Sequence, residues 1–335
     1  MMMKAVVCGL GSIGKRHLNN LERLGFACED VAIFRTRKGT STFGDTVLAE
    51  HRDRHPICST WDEVSKFQPE IALITNPTSL HVETALQAAN IGCHLFIEKP
   101  LSNVLNSDRL QREVFEKGLV AMVCYNLRFH PLFQAFQDEL EYGTVGDILS
   151  VQAEMAERVT LWHPWESHTT SYACRNDLGG GVILTQSHEL DFLYALFGCP
   201  QWVFATGGSC GDLKMDVENM CQSILGFDGF SAMLSVDYFK KPPKRFLEVS
   251  GTKGRMVWNY FENKLSIIPL EGASRDVLEP YGFDRNQTFL DALGEFIDCV
   301  EFELQPSISL SDGEAVMRMA MATHTSLVTG QKCDV

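Results

Sequence analysis

The sequence predicts an α/β chain of two domains. A doubly wound parallel sheet comes first, followed by an α+β domain with a large, mostly antiparallel open sheet. Three observations predict this. Over the first 125 residues, short apolar runs alternate with helical patterns. A glycine loop, Gly9-Leu10-Gly11-Ser12-Ile13-Gly14, joins the first apolar run to the first helical pattern. Later in the chain, strands follow one another on short turns. Strands alternating with helices require right-handed crossovers and hence a parallel sheet. Consecutive strands on tight turns form an antiparallel or mixed sheet. A length of 335 residues suits two domains, divided here into 1–125 and 126–335.

The strands of the first domain are read at 5–8, 31–34, 71–75, 95–97 and 120–124. Between them, Ile13, Leu18, Leu21 and Leu24 fall on one helical face. Leu80, Val82, Ala85, Leu86 and Ala89 do the same and stop at Gly92. A helix carrying Leu132, Phe133, Phe136 and Leu140 opens the second domain and leads to an alternating strand over 148–156. A long aromatic and polar loop runs to Gly179-Gly180-Gly181. The helix over 187–197 then ends at Gly198, a C-terminal cap. Asp228-Gly229 joins strands 220–227 and 230–238 as a hairpin. Strands 246–250, 256–259 and 265–268 extend the series. Two helices close the chain, the second opening on Ser311-Asp312-Gly313-Glu314 with capping-box spacing. One face of this sheet carries Met233, Ser235 and Asp237, an expected oligomer surface for a homodimer or homotetramer.

Composition narrows the function. A net charge of -14 and a pI near 5.2 argue against nucleic-acid binding. No apolar run approaches the ~18 residues of a membrane span, and the start of the chain is too short and glycine-rich for a signal peptide. The 11 cysteines include no Cys-x-x-Cys pair, so no metal site is indicated. They read as small buried hydrophobes in a reducing cytoplasm.

The chemistry concentrates at predicted strand ends. In the glycine loop, Gly9 permits a tight turn, Gly11 lets a pyrophosphate approach the backbone, and Gly14 lets helix and strand pack closely. Ser12 and Ile13 open the helix whose N-terminus favours the anion. An NAD site calls for an acid at the end of the second strand. Here Arg35, Thr36, Arg37 and Lys38 stand there, which favours the 2′-phosphate of NADP(H) over NAD(H). Thr75, Asn76 and Pro77 end the third strand and suit contact with ribose or phosphate. Glu98-Lys99-Pro100 ends the fourth. Proline restrains the backbone on both sides of its peptide bond, which holds Lys99 at the crevice. Its ammonium can polarise a substrate oxygen.

Together these segments resemble the Gfo/Idh/MocA family of glucose–fructose oxidoreductase, inositol dehydrogenase and their relatives. The matching pieces are the glycine loop, Thr75-Asn76-Pro77, Leu80-His81, Glu98-Lys99-Pro100-Leu101, Asn126-Leu127-Arg128-Phe129-His130-Pro131 and Gly179-Gly180-Gly181. The resemblance implies a Rossmann domain, an NAD(P) cofactor, and hydride exchange with a carbinol or carbonyl carbon of a sugar, amino sugar, cyclitol or nucleotide-linked sugar. It makes Lys99 the lysine that touches substrate and nicotinamide, and it adds His81 and Glu98 to the cofactor region. The family commonly carries Asp-x-x-x-His after its glycines. This chain has Thr185 where many relatives have Asp, and His188 is the candidate acid/base. Imidazole suits that role because it titrates near neutrality. Arg128, Trp165, Tyr172, Arg175, Thr185 and His188, with Lys99, form the expected substrate set, placed between the nicotinamide and the second domain. Two other readings stay open: an enzyme of the glycosidase or epimerase type that oxidises its substrate transiently and recycles NAD, and a non-catalytic dinucleotide-binding regulator.

Overall fold

The computed structural model describes residues 3–36, 42–162 and 167–335. The chain divides into two compact units, one of residues 1–126 and 286–314, the other of 127–285 and 315–335.

The first unit holds six parallel strands: β1 (Ala5–Cys8), β2 (Val31–Phe34), β3 (Ile57–Cys58), β4 (Ile71–Ile74), β5 (His94–Glu98) and β6 (Ala121–Cys124), ordered β3-β2-β1-β4-β5-β6. Strands β1, β2, β4 and β6 are buried at every residue, as expected of a sheet covered on both faces. Strand order reverses between β1 and β4, the crevice where such sheets hold ligands at their carboxyl edge. The helices are α1 (Ser12–Arg23), α2 (Thr42–His51), α3 (Trp61–Phe67), α4 (His81–Asn90) and α5 (Asp108–Glu116). The two-residue β3 escaped the sequence reading because it is too short to show a period.

The sequence assigns all of 126–335 to the second domain, whereas 286–314 packs into the first unit. Apolar and hydrogen-bonding contacts explain this. Helix α9 (Gln287–Glu301) sets Phe296 against Phe96 at 5.4 Å. Asn126 Nδ2 donates to Thr288 Oγ1 at 2.7 Å in the interior, and Val123 N donates to Ile308 O at 3.1 Å. The helix that follows, α10 (Leu310–Thr329), starts earlier than its sequence signal. Ser309 and Asp312 make the reciprocal cap: Asp312 N donates to Ser309 Oγ at 3.2 Å, and Ser309 N donates to Asp312 Oδ2 at 2.7 Å. The expected Ser311–Glu314 box is therefore displaced by two residues.

The second unit opens with α6 (Pro131–Glu141) and is built on a nine-stranded sheet. Its strands are β7 (Ile148–Ala156), β8 (Trp202–Gly208), β9 (Met220–Gly226), β10 (Ser231–Asp237), β11 (Lys244–Gly251), β12 (Gly254–Asn259), β13 (Lys264–Pro269), β14 (Arg275–Leu278) and β15 (Cys333–Asp334). All neighbours pair antiparallel except β7 with β10. The Asp228-Gly229 hairpin is present, with Gly226 opposite Ser231. One face packs Leu247, Trp258, Leu234 and Leu225 into the core. The other sets Phe204, Ile224 and Met233 side by side across β8, β9 and β10, all exposed. Helices α7 (Val182–Thr185) and α8 (His188–Phe197) follow the three glycines.

Candidate active site

The glycine loop is tied down from both neighbouring strands. Gly9 N donates to Phe34 O at 3.3 Å, and Thr75 Oγ1 donates to the carbonyls of Cys8 and Gly9 at 3.2 and 3.1 Å. Gly9 has φ +118, and a Cβ there would strike the Asn76 backbone. A Cβ on Gly14 would strike the Gly9 carbonyl oxygen. Gly11 has open space where its Cβ would be, and α1 begins there without a side-chain cap or an acid in its first turn. Uncapped N–H groups at a helix N-terminus suit an anion. The loop thus fits a dinucleotide pyrophosphate, which the N–H groups of Gly11, Ser12 and Ile13 could hold. Thr75 spends its hydroxyl on the loop itself. Asn76 Nδ2 donates to Thr84 Oγ1 at 2.7 Å, and Pro77 starts a short turn.

Arg35 follows β2, its guanidinium 2.6 Å from the exposed Asp45 carboxylate. Thr36 beside it is exposed. Arg37 and Trp165, both sequence candidates, lie outside the described residues, as do Lys38 and His163.

Glu98 is the last residue of β5 and is buried. Three donors surround its carboxylate: His17 Nε2 at 2.7 Å, the Lys99 backbone N–H at 3.2 Å, and the Cys124 thiol. Burial alone would raise its pKa. The hydrogen bond and charge of His17, with the Lys99 charge, outweigh that and hold the pKa below the usual carboxylate range. The His17–Glu98–Cys124 group brings three ligand-type atoms together, but its short hydrogen bonds already use them. A second such group, Glu22, Cys28 and His55, is spanned by Arg54, which donates to Glu22 at 2.8 Å and Cys28 at 3.1 Å. The Lys99–Pro100 peptide is cis, and Lys99 is half-buried. His81 is buried with both ring nitrogens on backbone carbonyls, Nδ1 at 2.8 Å from Pro100 O and Nε2 at 2.8 Å from Asn76 O.

In the second unit, His188 is the first residue of α8 and stacks on Phe192 at 6.5 Å. Its neighbours pin the helix start. Glu189 accepts from Arg245 Nε at 2.7 Å, both side chains being buried. Asp191 accepts from Arg128 Nε at 3.0 and 3.1 Å and from Nη2 at 2.6 Å. Arg128 thus braces α8 through Asp191. Thr185 is buried and hydrogen-bonds Tyr238. The loop of short turns before it carries Tyr172, exposed, and Arg175, which donates to Asp177 at 2.9 Å. Glu218 was not foreseen. Its Oε1 accepts the Ile183 N–H at 3.1 Å and caps α7 just past Gly181, and burial raises its pKa. His130, inside the Asn126–Pro131 motif, is a buried N-cap: its Nδ1 accepts from Leu132 N at 3.2 Å.

Known proteins match this arrangement along most of the chain. Residues 3–125 match the oxidoreductase family with NAD-binding Rossmann fold called GFO_IDH_MocA, and residues 133–257 match the C-terminal domain of that family. The chain belongs to the Gfo/Idh/MocA family. It is 25% identical to a myo-inositol 2-dehydrogenase of Thermotoga maritima over 97% of this chain and 96% of that one. It is 27% identical to a 1,5-anhydro-D-fructose reductase of Ensifer adhaerens over 78% of each. In fold it follows a levoglucosan dehydrogenase solved with NADH and levoglucosan, with a TM-score of 0.85, 20% identity and 99% of both chains covered. The chain is therefore an NAD(P)-dependent oxidoreductase acting on CH–OH groups, which sets aside the regulator reading. Among the described residues, no helix is long and apolar enough to cross a membrane.

Proposed function

We propose that this Gfo/Idh/MocA enzyme oxidises a secondary hydroxyl of a sugar, amino sugar, cyclitol or nucleotide-linked sugar, or reduces the matching ketone. The observation that carries this is Lys99, which leaves the same carboxyl edge as the glycine loop on a turn fixed by buried hydrogen bonds. The bound dinucleotide supplies the hydride acceptor. Lys99 donates a hydrogen bond to the reacting oxygen and stabilises the charge that develops there. His188 takes the hydroxyl proton during oxidation and returns it during reduction. Relatives named for myo-inositol, levoglucosan and D-xylose support the substrate class. Lys99→Met and His188→Asn are each expected to lower kcat by about a hundredfold or more on the true substrate. Unchanged turnover in Lys99→Met overturns the assignment.

Arg35 at the end of β2 favours NADP(H), with Thr36 and Arg37 in support. Relatives include both NAD- and NADP-dependent enzymes. The ratio of kcat/KM for NADP+ over NAD+ tests this, and Arg35→Ala should reverse any NADP+ preference. A second reading, transient oxidation with a retained cofactor, is favoured by one relative, a 2,7-anhydro-N-acetylneuraminate hydratase 26% identical over 57% of this chain. Cofactor that copurifies and is not consumed during turnover would select it. We also propose a homodimer or homotetramer in a reducing cytoplasm. The exposed Phe204–Ile224–Met233 row supplies the contact, and all 11 cysteines are free thiols. If so, Ile224→Lys should shift the mass measured by light scattering toward the monomer.

A further inference from the structure

Two buried histidines flank the Lys99 turn, and neither belongs to the chemistry proposed above. His17 lies on α1, three residues after Gly14. His81 starts α4, just beyond Thr75-Asn76-Pro77. One therefore comes from each of the two other motifs at this sheet edge. His17 is fully buried, with its ring edge-on to Phe96 at 5.3 Å and to Phe289 at 5.9 Å. It reaches the turn through Glu98, and the other Glu98 oxygen receives the Lys99 N–H. His81 reaches the far side of the turn at the Pro100 carbonyl, and its second nitrogen lies 2.8 Å from the Asn76 carbonyl.

We propose that His17 and His81 are positioning residues that clamp the Lys99 turn from both sides and so fix where the lysine amine stands. A carboxylate only accepts hydrogen bonds, so His17 Nε2 donates to Glu98. Burial lowers the His81 pKa and favours a neutral ring with one N–H, and in the Nδ1–H tautomer that N–H donates to the Pro100 carbonyl. The donors on Glu98 hold its carboxylate in one orientation, and that orientation fixes the first peptide of the turn. The His81 bond fixes the peptide after Pro100. With both ends pinned, the lysine starts from a rigid backbone, which is what a group poised at a reacting atom needs. The ring of His81 has no nitrogen left for a cofactor, so its action is through the turn. The clamp rests on reading Lys99 as the functional amine.

The test is competitive labelling with acetic anhydride on the full-length protein. Acetylation of Lys99 is measured against Lys117, whose amine is held by the Ala89 and Asn90 carbonyls in the same unit. His17→Leu removes one donor and keeps apolar bulk, and His81→Leu removes the other. Each is expected to raise Lys99 labelling roughly threefold or more, because a loosened amine spends more time exposed. His17→Gln retains an N–H donor and should return labelling to within about twofold of the parent. The Kd for NADP+ should move less than about threefold in the two His17 variants, since neither touches Gly11 or Ser12, and a larger shift would mean that the substitution acts through the cofactor site rather than the turn. If one leucine variant fails to fold, the other still decides. Unchanged Lys99 labelling in a variant with a native circular dichroism spectrum overturns the clamp. A fully active Lys99→Met would instead defeat the catalytic assignment, so the two failures are told apart.

Discussion

Removing the Asp191 carboxylate is expected to destabilise the second unit through one identifiable charge. Asp191 is fully buried, and the Arg128 side chain is only 15% exposed. Its two oxygens take three hydrogen bonds from the guanidinium. Asp191→Ala leaves Arg128 cationic, nearly dry and without that partner, a change that costs about 3–5 kcal/mol in buried pairs. The lower figure applies, because Arg128 reaches some water and lies 5.9 Å from the Tyr194 ring. At ~2–4 °C per kcal/mol for a unit of this size, the melting transition should fall by about 6–12 °C. Differential scanning calorimetry at neutral pH reads this directly. Arg128→Met with Asp191→Leu replaces the pair with apolar groups of similar volume and should recover most of the loss. An Asp191→Ala protein that melts within about 2 °C of the parent would refute the reasoning, because a solvated, unimportant pair behaves that way.

Gly14→Ala should weaken NADPH binding by about tenfold or more, read by fluorescence titration, because its methyl group collides with the Gly9 carbonyl and shifts the anion-binding turn. Burial pushes the His130 imidazole down from 6.5 to about 4, with the Arg285 and Arg245 charges adding to the effect. Between those values the unfolded chain binds a proton that the folded one refuses. The stability from the neutral ring is therefore full above 6.5 and is lost as pH falls toward 4, by about 3 kcal/mol. His130→Asn keeps an N-cap acceptor and should flatten that part of the urea-unfolding stability curve, whereas an unchanged slope would mean that another group carries it.

The fold was legible where local rules are strong. Strands 5–8, 31–34 and 148–156 match the observed β1, β2 and β7 because apolar runs and alternation are local properties. The Asp228-Gly229 hairpin follows from turn chemistry alone. What escaped had no local signature. β8 and β14 are short or irregular in pattern, and β15 is two residues at the sheet edge. The return of 286–314 to the first unit depends on Phe296 meeting Phe96, a contact 200 positions apart in sequence that no window contains.

The same reasoning explains what was missed at the site. The glycine loop, Lys99 and His188 stand out as candidates because each proposed chemistry needs a residue type at a recognisable place in the sequence. Their supports do not. His17 is bonded to Glu98 across 81 positions, Arg128 to Asp191 across 63, and Arg245 to Glu189 across 56. Only the fold pairs them. The sequence places Arg128 in the expected substrate set, and the structure adds three hydrogen bonds from it to Asp191 on α8. The sequence places His81 in the cofactor region, and the structure sets its two ring nitrogens 2.8 Å from the backbone carbonyls of Pro100 and Asn76. One sequence signal did exist. A histidine one helical turn past the third glycine places its ring on the sheet-facing side of α1, where His17 is fully buried, and a buried imidazole needs a partner. Asking which acidic residue ends a neighbouring strand leads to Glu98.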